Sequence, residues 1–155
     1  MANIVAGTIE VCVFKHDGDV TKYLLLKRSE NEALYPGMWQ LVTGTIKDGE
    51  FAVQAALREF KEETGMEALR FWVAPHVNSF YLPSSDTVHL SPFFAVEVAA
   101  QGQVLLSREH QEYQWCTYAD AAAKLVWPGQ RHGLQLVHEY IVGGQEASRL
   151  LSLSI

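Results

Sequence analysis

Cysteine is scarce in this chain. Cys12 and Cys116 are the only two among 155 residues, they lie in apolar surroundings (Val11, Val13 and Phe14 around the first, Trp115 beside the second), and they lack any metal-ligand spacing. Two buried free thiols are therefore expected. Positive charge is also short: 12 Lys and Arg stand against 18 Asp and Glu, for a formal net charge of −6. Such a molecule repels nucleic-acid phosphates and an anionic membrane surface, which argues against a polymeric nucleic-acid partner and against a membrane partner. A small phosphorylated substrate stays open, provided metal ions or a local basic cluster neutralise it. No run approaches the roughly 20 apolar residues that span a bilayer, and no basic stretch followed by an apolar one opens the chain, so a cytoplasmic location is expected. Internal repeats, low-complexity tracts and linkers are absent too, which leaves residues 1–155 as one expected domain.

What is present is ordinary globular composition, with 48% hydrophobic and 19% charged residues. A chain of this length buries roughly two thirds of its unfolded surface. Residues Ala6 to Phe14 and Tyr23 to Leu26 read as a β-hairpin around the turn His16-Asp17-Gly18-Asp19. Ser29 to Met38 is a loop and Trp39 to Val42 a short strand. Ala68 to Tyr81 and Val88 to Ala99 form a second hairpin across Pro83-Ser84-Ser85-Asp86, followed by a polar stretch and a strand at Tyr113 to Cys116. Helices are expected at Ala119 to Leu125 and at Gly133 to Val142, the latter with Leu134, Val137 and Ile141 inward. An α+β or mixed-sheet α/β sandwich follows.

The clearest element is a helix from Glu50 to Thr64, where Val53, Ala56, Leu57, Phe60 and Thr64 fall on one stripe, with Gly65 as its C-terminal stop. Glu59, Glu62 and Glu63 occupy an arc of about 100° on that helix. With Val53 taken as the stripe's centre, Glu63 lies closest to the core and Glu62 furthest out. Like charges at this spacing cost roughly 0.2 to 0.5 kcal/mol per pair, with only Arg58 and Lys61 to offset them. A hard divalent cation would relieve the repulsion, and Mg²⁺ prefers oxygen ligands. The alternative is a solvated acidic face, and spacing alone does not decide.

The wider pattern does. Gly44, five residues, Glu50, seven residues, then Arg58-Glu59-Phe60-Lys61-Glu62-Glu63-Thr64-Gly65-Met66 is similar in full to the signature of the Nudix hydrolases. At average residue usage the chance of such a match is on the order of 10⁻⁹ per window. The resemblance implies an α/β/α sandwich with a mixed central sheet. It implies Glu59, Glu62 and Glu63 as metal-binding and catalytic carboxylates, with the Gly44 carbonyl as a further ligand. Arg58 stands with the catalytic set and, together with Glu50, would brace the loop against the helix, while Gly65 is structural. Mg²⁺ is the implied cofactor, with Mn²⁺ as a substitute, and water the implied attacking group on a phosphorus.

Leu106 to Trp115 resembles the Glu-His segment that precedes a late strand in several members of that family, where a loop glutamate binds metal or acts as base. Glu109 is preferred to Glu112 for this role. The run Trp39 to Thr45 resembles dihydroneopterin triphosphate and deoxynucleoside triphosphate pyrophosphatases. The Leu106-Ser107-x-Glu109-His110-Gln111 pattern is shared with diadenosine tetraphosphate hydrolases, but their Pro-Pro-Lys is replaced here by Leu41-Val42-Thr43. Triphosphate cleavage to a monophosphate and pyrophosphate therefore ranks first, and dinucleoside polyphosphates or other nucleoside-diphosphate compounds second. An idle nucleotide-sensing domain would be expected to lose an acid, and none is lost. Trp39, Tyr35, Phe80 and Tyr81 are candidates to stack on a ring. Lys27 and Arg28 are candidates for phosphate contacts. His76 and His89 are expected on neighbouring strands in structural roles. The apolar tail Ser148 to Ile155 packs either on a partner subunit or on its own domain, with a monomer or a homodimer equally open.

Overall fold

The computed structural model describes residues 1–155 and consists of one nine-stranded mixed sheet with helices on both faces. The strands are β1 (Asn3–Val5), β2 (Thr8–Asp17), β3 (Val20–Arg28), β4 (Trp39–Gln40), β5 (Val42–Thr45), β6 (Arg70–Leu82), β7 (Thr87–Glu97), β8 (His110–Cys116) and β9 (Ser152–Leu153). The helices are α1 (Ala52–Thr64), α2 (Tyr118–Lys124), α3 (Pro128–Leu136) and α4 (Gln145–Leu151), and α3 runs on into a π-helical turn at Val137–Val142.

The organising feature is a hairpin that opens. β2 and β3 pair antiparallel only from Phe14 to Asp17 against Val20 to Tyr23. Beyond that they separate, and Trp39 to Thr45 fills the gap. β4 bonds to Leu26 and Lys27 of β3, and β5 bonds to Thr8 through Val11 of β2. The strand expected over Trp39 to Val42 is thus two, broken at the fully buried Leu41, because the segment changes partner there. On its other edge β2 runs parallel to β7, which pairs antiparallel with β6, while β8 flanks β3.

Strand alternation sends side chains to two cores. Ile9, Val11 and Val13 of β2 meet Ala56 and Phe60 of α1. Cys12 and Phe14 meet Ala121 of α2, Leu134 of α3, and Val137 and Ile141 of the π turn. Both cysteines are buried free thiols, and burial pushes each of them up from the ordinary thiol pKa. The expected α/β/α sandwich with a mixed central sheet is the observed architecture.

Several expectations are corrected. The first helix begins at Ala52 rather than Glu50, since Gln54 Oε1 accepts from the Phe51 N–H at 2.9 Å and fixes the first turn there. Val53 is not the centre of the buried stripe. It is 38% exposed, because at 100° per residue it falls at the edge of the buried stripe formed by Ala55, Ala56, Phe60, Glu63 and Thr64, with Ala52 packed beside them. The last long helix starts at Pro128, five residues earlier than expected, with Pro at its favoured first position, and widens into the π turn. The tail forms α4 and then pairs Ser152 and Leu153 with β6, so it packs on its own domain, although Leu150 and Ile155 stay exposed. No helix is long and apolar enough to cross a membrane.

The corrected stripe gives the first prediction. Phe60→Ala removes a buried ring and is expected to cost about 3 to 5 kcal/mol in urea unfolding. Val53→Ala is expected to stay within about 0.5 kcal/mol of the parent. Comparable losses at both positions would return Val53 to the core.

Candidate active site

α1 ends at Gly65, whose backbone is left-handed (φ 67°) as a C-terminal cap requires, and its last two turns carry the acids. Arg58 ties this end to the preceding loop. Its Nε donates to Glu50 Oε1 at 2.7 Å and its Nη2 to Glu50 Oε2 at 2.9 Å, a two-pronged pairing; Nη2 also donates to the Thr45 carbonyl at 2.8 Å. Nη1 donates to Glu59 Oε1 at 2.8 Å and Glu62 Oε2 at 3.2 Å. Glu50 lies outside the helix, where Oε2 also accepts the Lys47 N–H at 3.0 Å. Hydrogen bonds from Arg58 and Lys47 pull its carboxyl down to about 2.

Glu59 lies against the backbone of Gly44. A Cβ there would sit 2.1 Å from Glu59 Cγ and 2.2 Å from Cδ, so only glycine admits this approach. The Thr45 N–H reaches Glu59 Oε1 at 3.3 Å.

Glu63 is buried, and its Oε2 accepts from Ser107 Oγ and from His110 Nδ1, each at 2.7 Å. His110 Nε2 meets Gln40 Nε2 at 2.8 Å. With the Gln40 amide donating, the imidazole proton sits on Nδ1 and points at Glu63. Burial pushes the Glu63 carboxyl up, but the hydrogen bonds from His110 and Ser107 and the charge of Arg28 outweigh it, and the net direction is down. Ser107, His110 and Gln40 were missed by the sequence reading. The signal for Ser107 and His110 was the Glu-His segment itself, read there for its two glutamates, and Gln40 lies in the run from Trp39 to Thr45.

Those glutamates part company. Glu109 is exposed and faces the acids; burial pushes its carboxyl up first, and the charges of Glu63, Glu32 and Glu59 push it further, with His110 opposing. Glu112 points to Lys27, with Nζ 3.8 Å from Oε2. Lys27 and Lys124 both lie over the Trp39 ring, 5.9 and 5.2 Å from its centre. Arg28 Nε donates to the Leu34 carbonyl at 2.8 Å and its Nη2 to Glu32 Oε2 at 3.3 Å, while Nη1 has no protein partner.

The stacking candidates scatter. Tyr35 packs edge-on against Trp127. Phe80 stacks on His89 at 4.9 Å within the β6–β7 hairpin, and Tyr81 donates to Asp86. His76 lies on β6 and His89 on β7 as expected, but His76 bonds to the Gly129 carbonyl rather than to His89. A second polar cluster was also missed: Glu10, near the start of β2, accepts from Asn78 Nδ2 at 2.9 Å and Gln130 Nε2 at 3.0 Å. Burial pushes its carboxyl up while the two amides pull it back, and the net direction is up.

No three acidic, histidine or cysteine side chains converge into a ready-made ion site. The donor set nevertheless fits a hard cation. Glu59 and Glu62 offer carboxylate oxygens beside the closely approached Gly44, neutralised for the present by Arg58, and Glu63 Oε1 has no protein partner.

A family model described as NUDIX domain matches residues 7–137. Dihydroneopterin triphosphate diphosphatase of Escherichia coli (strain K12) is 28% identical over 128 residues, covering 74% of this chain and 81% of that protein. An octanoyltransferase of Myxococcus xanthus is 30% identical over 131 residues, which is 80% of this chain but 34% of that protein, so the chain spans about a third of that relative. Among solved structures, a C. elegans Ap4A hydrolase binary complex superposes with a TM-score of 0.74 at 21% identity, covering 90% of this chain and 99% of the other, a likeness of fold.

The hydrogen bond from His110 has a testable sign. A carboxyl held below its ordinary value contributes stability that is present above the unfolded pKa, about 4.3, and is lost as pH falls through the folded pKa. His110→Ala removes a donor from buried Glu63 and is expected to cost about 1 to 3 kcal/mol at pH 7. The gap from the parent should narrow as denaturant unfolding is repeated below pH 4. A gap that widens at low pH would contradict this assignment.

Proposed function

We propose, since this chain belongs to the Nudix family of hydrolases, that it cleaves a phosphoanhydride bond in a nucleoside triphosphate or in a related compound such as dihydroneopterin triphosphate, releasing the monophosphate and pyrophosphate. The observation that carries this reading is the single acidic end of α1, where Glu59 lies against Gly44, Arg58 holds Glu59 and Glu62, and Ser107 and His110 hold Glu63. The choice of triphosphate is supported by the diphosphatase relative, which aligns along 81% of its own length.

Glu59, Glu62, Glu63 and the Gly44 carbonyl would hold Mg²⁺, or Mn²⁺ in its place. A bound cation supplies charge neutralisation at the phosphates and a lower pKa for the attacking water. The chain's own residues do the rest. Glu109, whose carboxyl is pushed up among like charges, takes the proton from the water as general base. Arg58 and Glu50 keep the loop from Thr45 to Phe51 fixed against α1, so the carboxylates need little reorganisation when substrate arrives. Ser107, His110 and Gln40 keep Glu63 ionised and oriented. Lys27 and Trp39 contact the substrate from the neighbouring strand pair. Arg28, bonded to Glu32 and the Leu34 carbonyl, positions the loop from Ser29 to Met38 and keeps Nη1 for a phosphate oxygen.

The test is a panel of deoxynucleoside triphosphates, dihydroneopterin triphosphate, dinucleoside tetraphosphates and nucleotide sugars with Mg²⁺, scored by chromatography of products. A triphosphate is expected to yield pyrophosphate. Glu59→Gln and Glu63→Gln are expected to lose at least about a hundredfold in kcat, and Glu109→Gln roughly 10² to 10⁴-fold, flattening the acid limb of the pH profile. Turnover of no panel member, or full activity in Glu63→Gln, sinks the proposal.

A further inference from the structure

Glu10 is an expensive residue with no structural return visible around it. It sits near the start of β2, 5% exposed, and its two hydrogen-bond partners are neutral amides, Asn78 on β6 and Gln130 in the first turn of α3. No cation faces it. A buried carboxylate compensated only by neutral amides keeps much of its desolvation cost.

Its capacity is also half used. An ionised carboxylate has about four acceptor sites, and one on each oxygen is taken, by Gln130 on Oε1 and by Asn78 on Oε2. Beside it, Gln130, 4% exposed, leaves its own Oε1 with no donor at all, the sole buried side-chain polar atom in the protein without a partner. A buried acceptor left without a donor keeps its desolvation cost uncompensated. The cluster is therefore short of donors and rich in acceptors.

Its position ties it to the acid site. Glu10 stands in register with Thr43 of β5, and the next residue along that strand is Gly44, which faces Glu59 from the other side of the sheet. Gln130 lies one turn from Trp127, 39% exposed and flanked by Tyr35. An aromatic flank, an acceptor edge and a strand leading to the phosphate-handling carboxylates occur in sequence.

We propose that Glu10 and Gln130 form the reading edge for the substrate's ring, accepting from a planar heterocycle that offers a ring N–H and an exocyclic amino group side by side. That donor pair is the 2-amino-4-oxo edge shared by guanine and pterins. The two donors meet the open acceptor site on each Glu10 oxygen, or one meets Glu10 and the other the unpartnered Gln130 Oε1. Asn78 is a positioning residue that holds the carboxylate. The proposal deepens the hydrolase reading by naming its substrate class, and rests on that reading only for the phosphates.

Binding without metal and without turnover separates the two. Isothermal titration of the metal-free protein with guanosine 5′-monophosphate, with 7,8-dihydroneopterin and with inosine 5′-monophosphate, which lacks the amino group, tests the edge directly. At least one of the first two is expected to bind, with inosine monophosphate roughly tenfold weaker or worse, since a site built to accept from a substrate N–H rejects the analogue without it. Which of the two binds identifies the source of the edge. Glu10→Gln is expected to reduce the discrimination to less than about threefold, and Gln130→Met to do so independently if the first variant does not fold, as judged by near-ultraviolet dichroism. Equal binding of inosine monophosphate, binding by none of the three, or unchanged discrimination in the folded variants overturns the proposal. The hydrolase reading fails separately, by absence of turnover with Mg²⁺.

Discussion

The site depends on the reach of one guanidinium. Arg58 is the single group that touches the loop and the helix acids together, through Glu50, the Thr45 carbonyl, Glu59 and Glu62. Glu50 and the Thr45 carbonyl, next to Gly44, are drawn to the acid end of α1 by its hydrogen bonds. A lysine would not substitute, because one ammonium lacks the planar fork that serves both oxygens of Glu50 and still reaches Glu59. The same contacts hold the mutually repelling acids in a defined arrangement before any cation arrives.

How much of this was legible in the residues follows a physical line. Local features were readable: Gly65 as a cap, the acids on one arc, the two hairpins, the inward Leu134, Val137 and Ile141. Each is set by neighbours within a turn or a strand. What escaped depended on distant partners. Val53 has the right spacing for the core, but it falls at the edge of the buried stripe, and where that edge lies is decided by strands far along the chain. The partners of Arg28, Glu32 and the Leu34 carbonyl, were not foreseen because they belong to a loop without a periodic pattern. His110 was passed over beside two glutamates, although it makes the contact to Glu63. Glu10, Asn78 and Gln130 span 120 residues, and no local rule unites them.

The sheet keeps its two faces chemically separate. On the α1 side, Glu50 meets a guanidinium and Glu63 an imidazole and a hydroxyl, and both are held below the ordinary carboxylate pKa. On the α3 side, one carboxylate meets only amides, and burial pushes its pKa the other way. Identical side chains are thereby set to opposite tendencies across one strand's thickness, by the partners that each face supplies.

The opened hairpin carries a consequence for how the molecule is made. β2 closes locally on β3, yet the slot between them stays unfilled until Trp39 to Thr45 arrives, and the far edge of β2 waits for β7, about eighty residues downstream. Pairings so distant along the chain are slow to form, because loop closure precedes the contacts that reward it. The strand that brings Gly44 to Glu59 is thus lodged in the part of the sheet most dependent on complete assembly. An incompletely folded chain would hold its acids on a formed helix with nothing opposite them, so catalytic competence reports on the finished fold rather than on the helix that bears the acids.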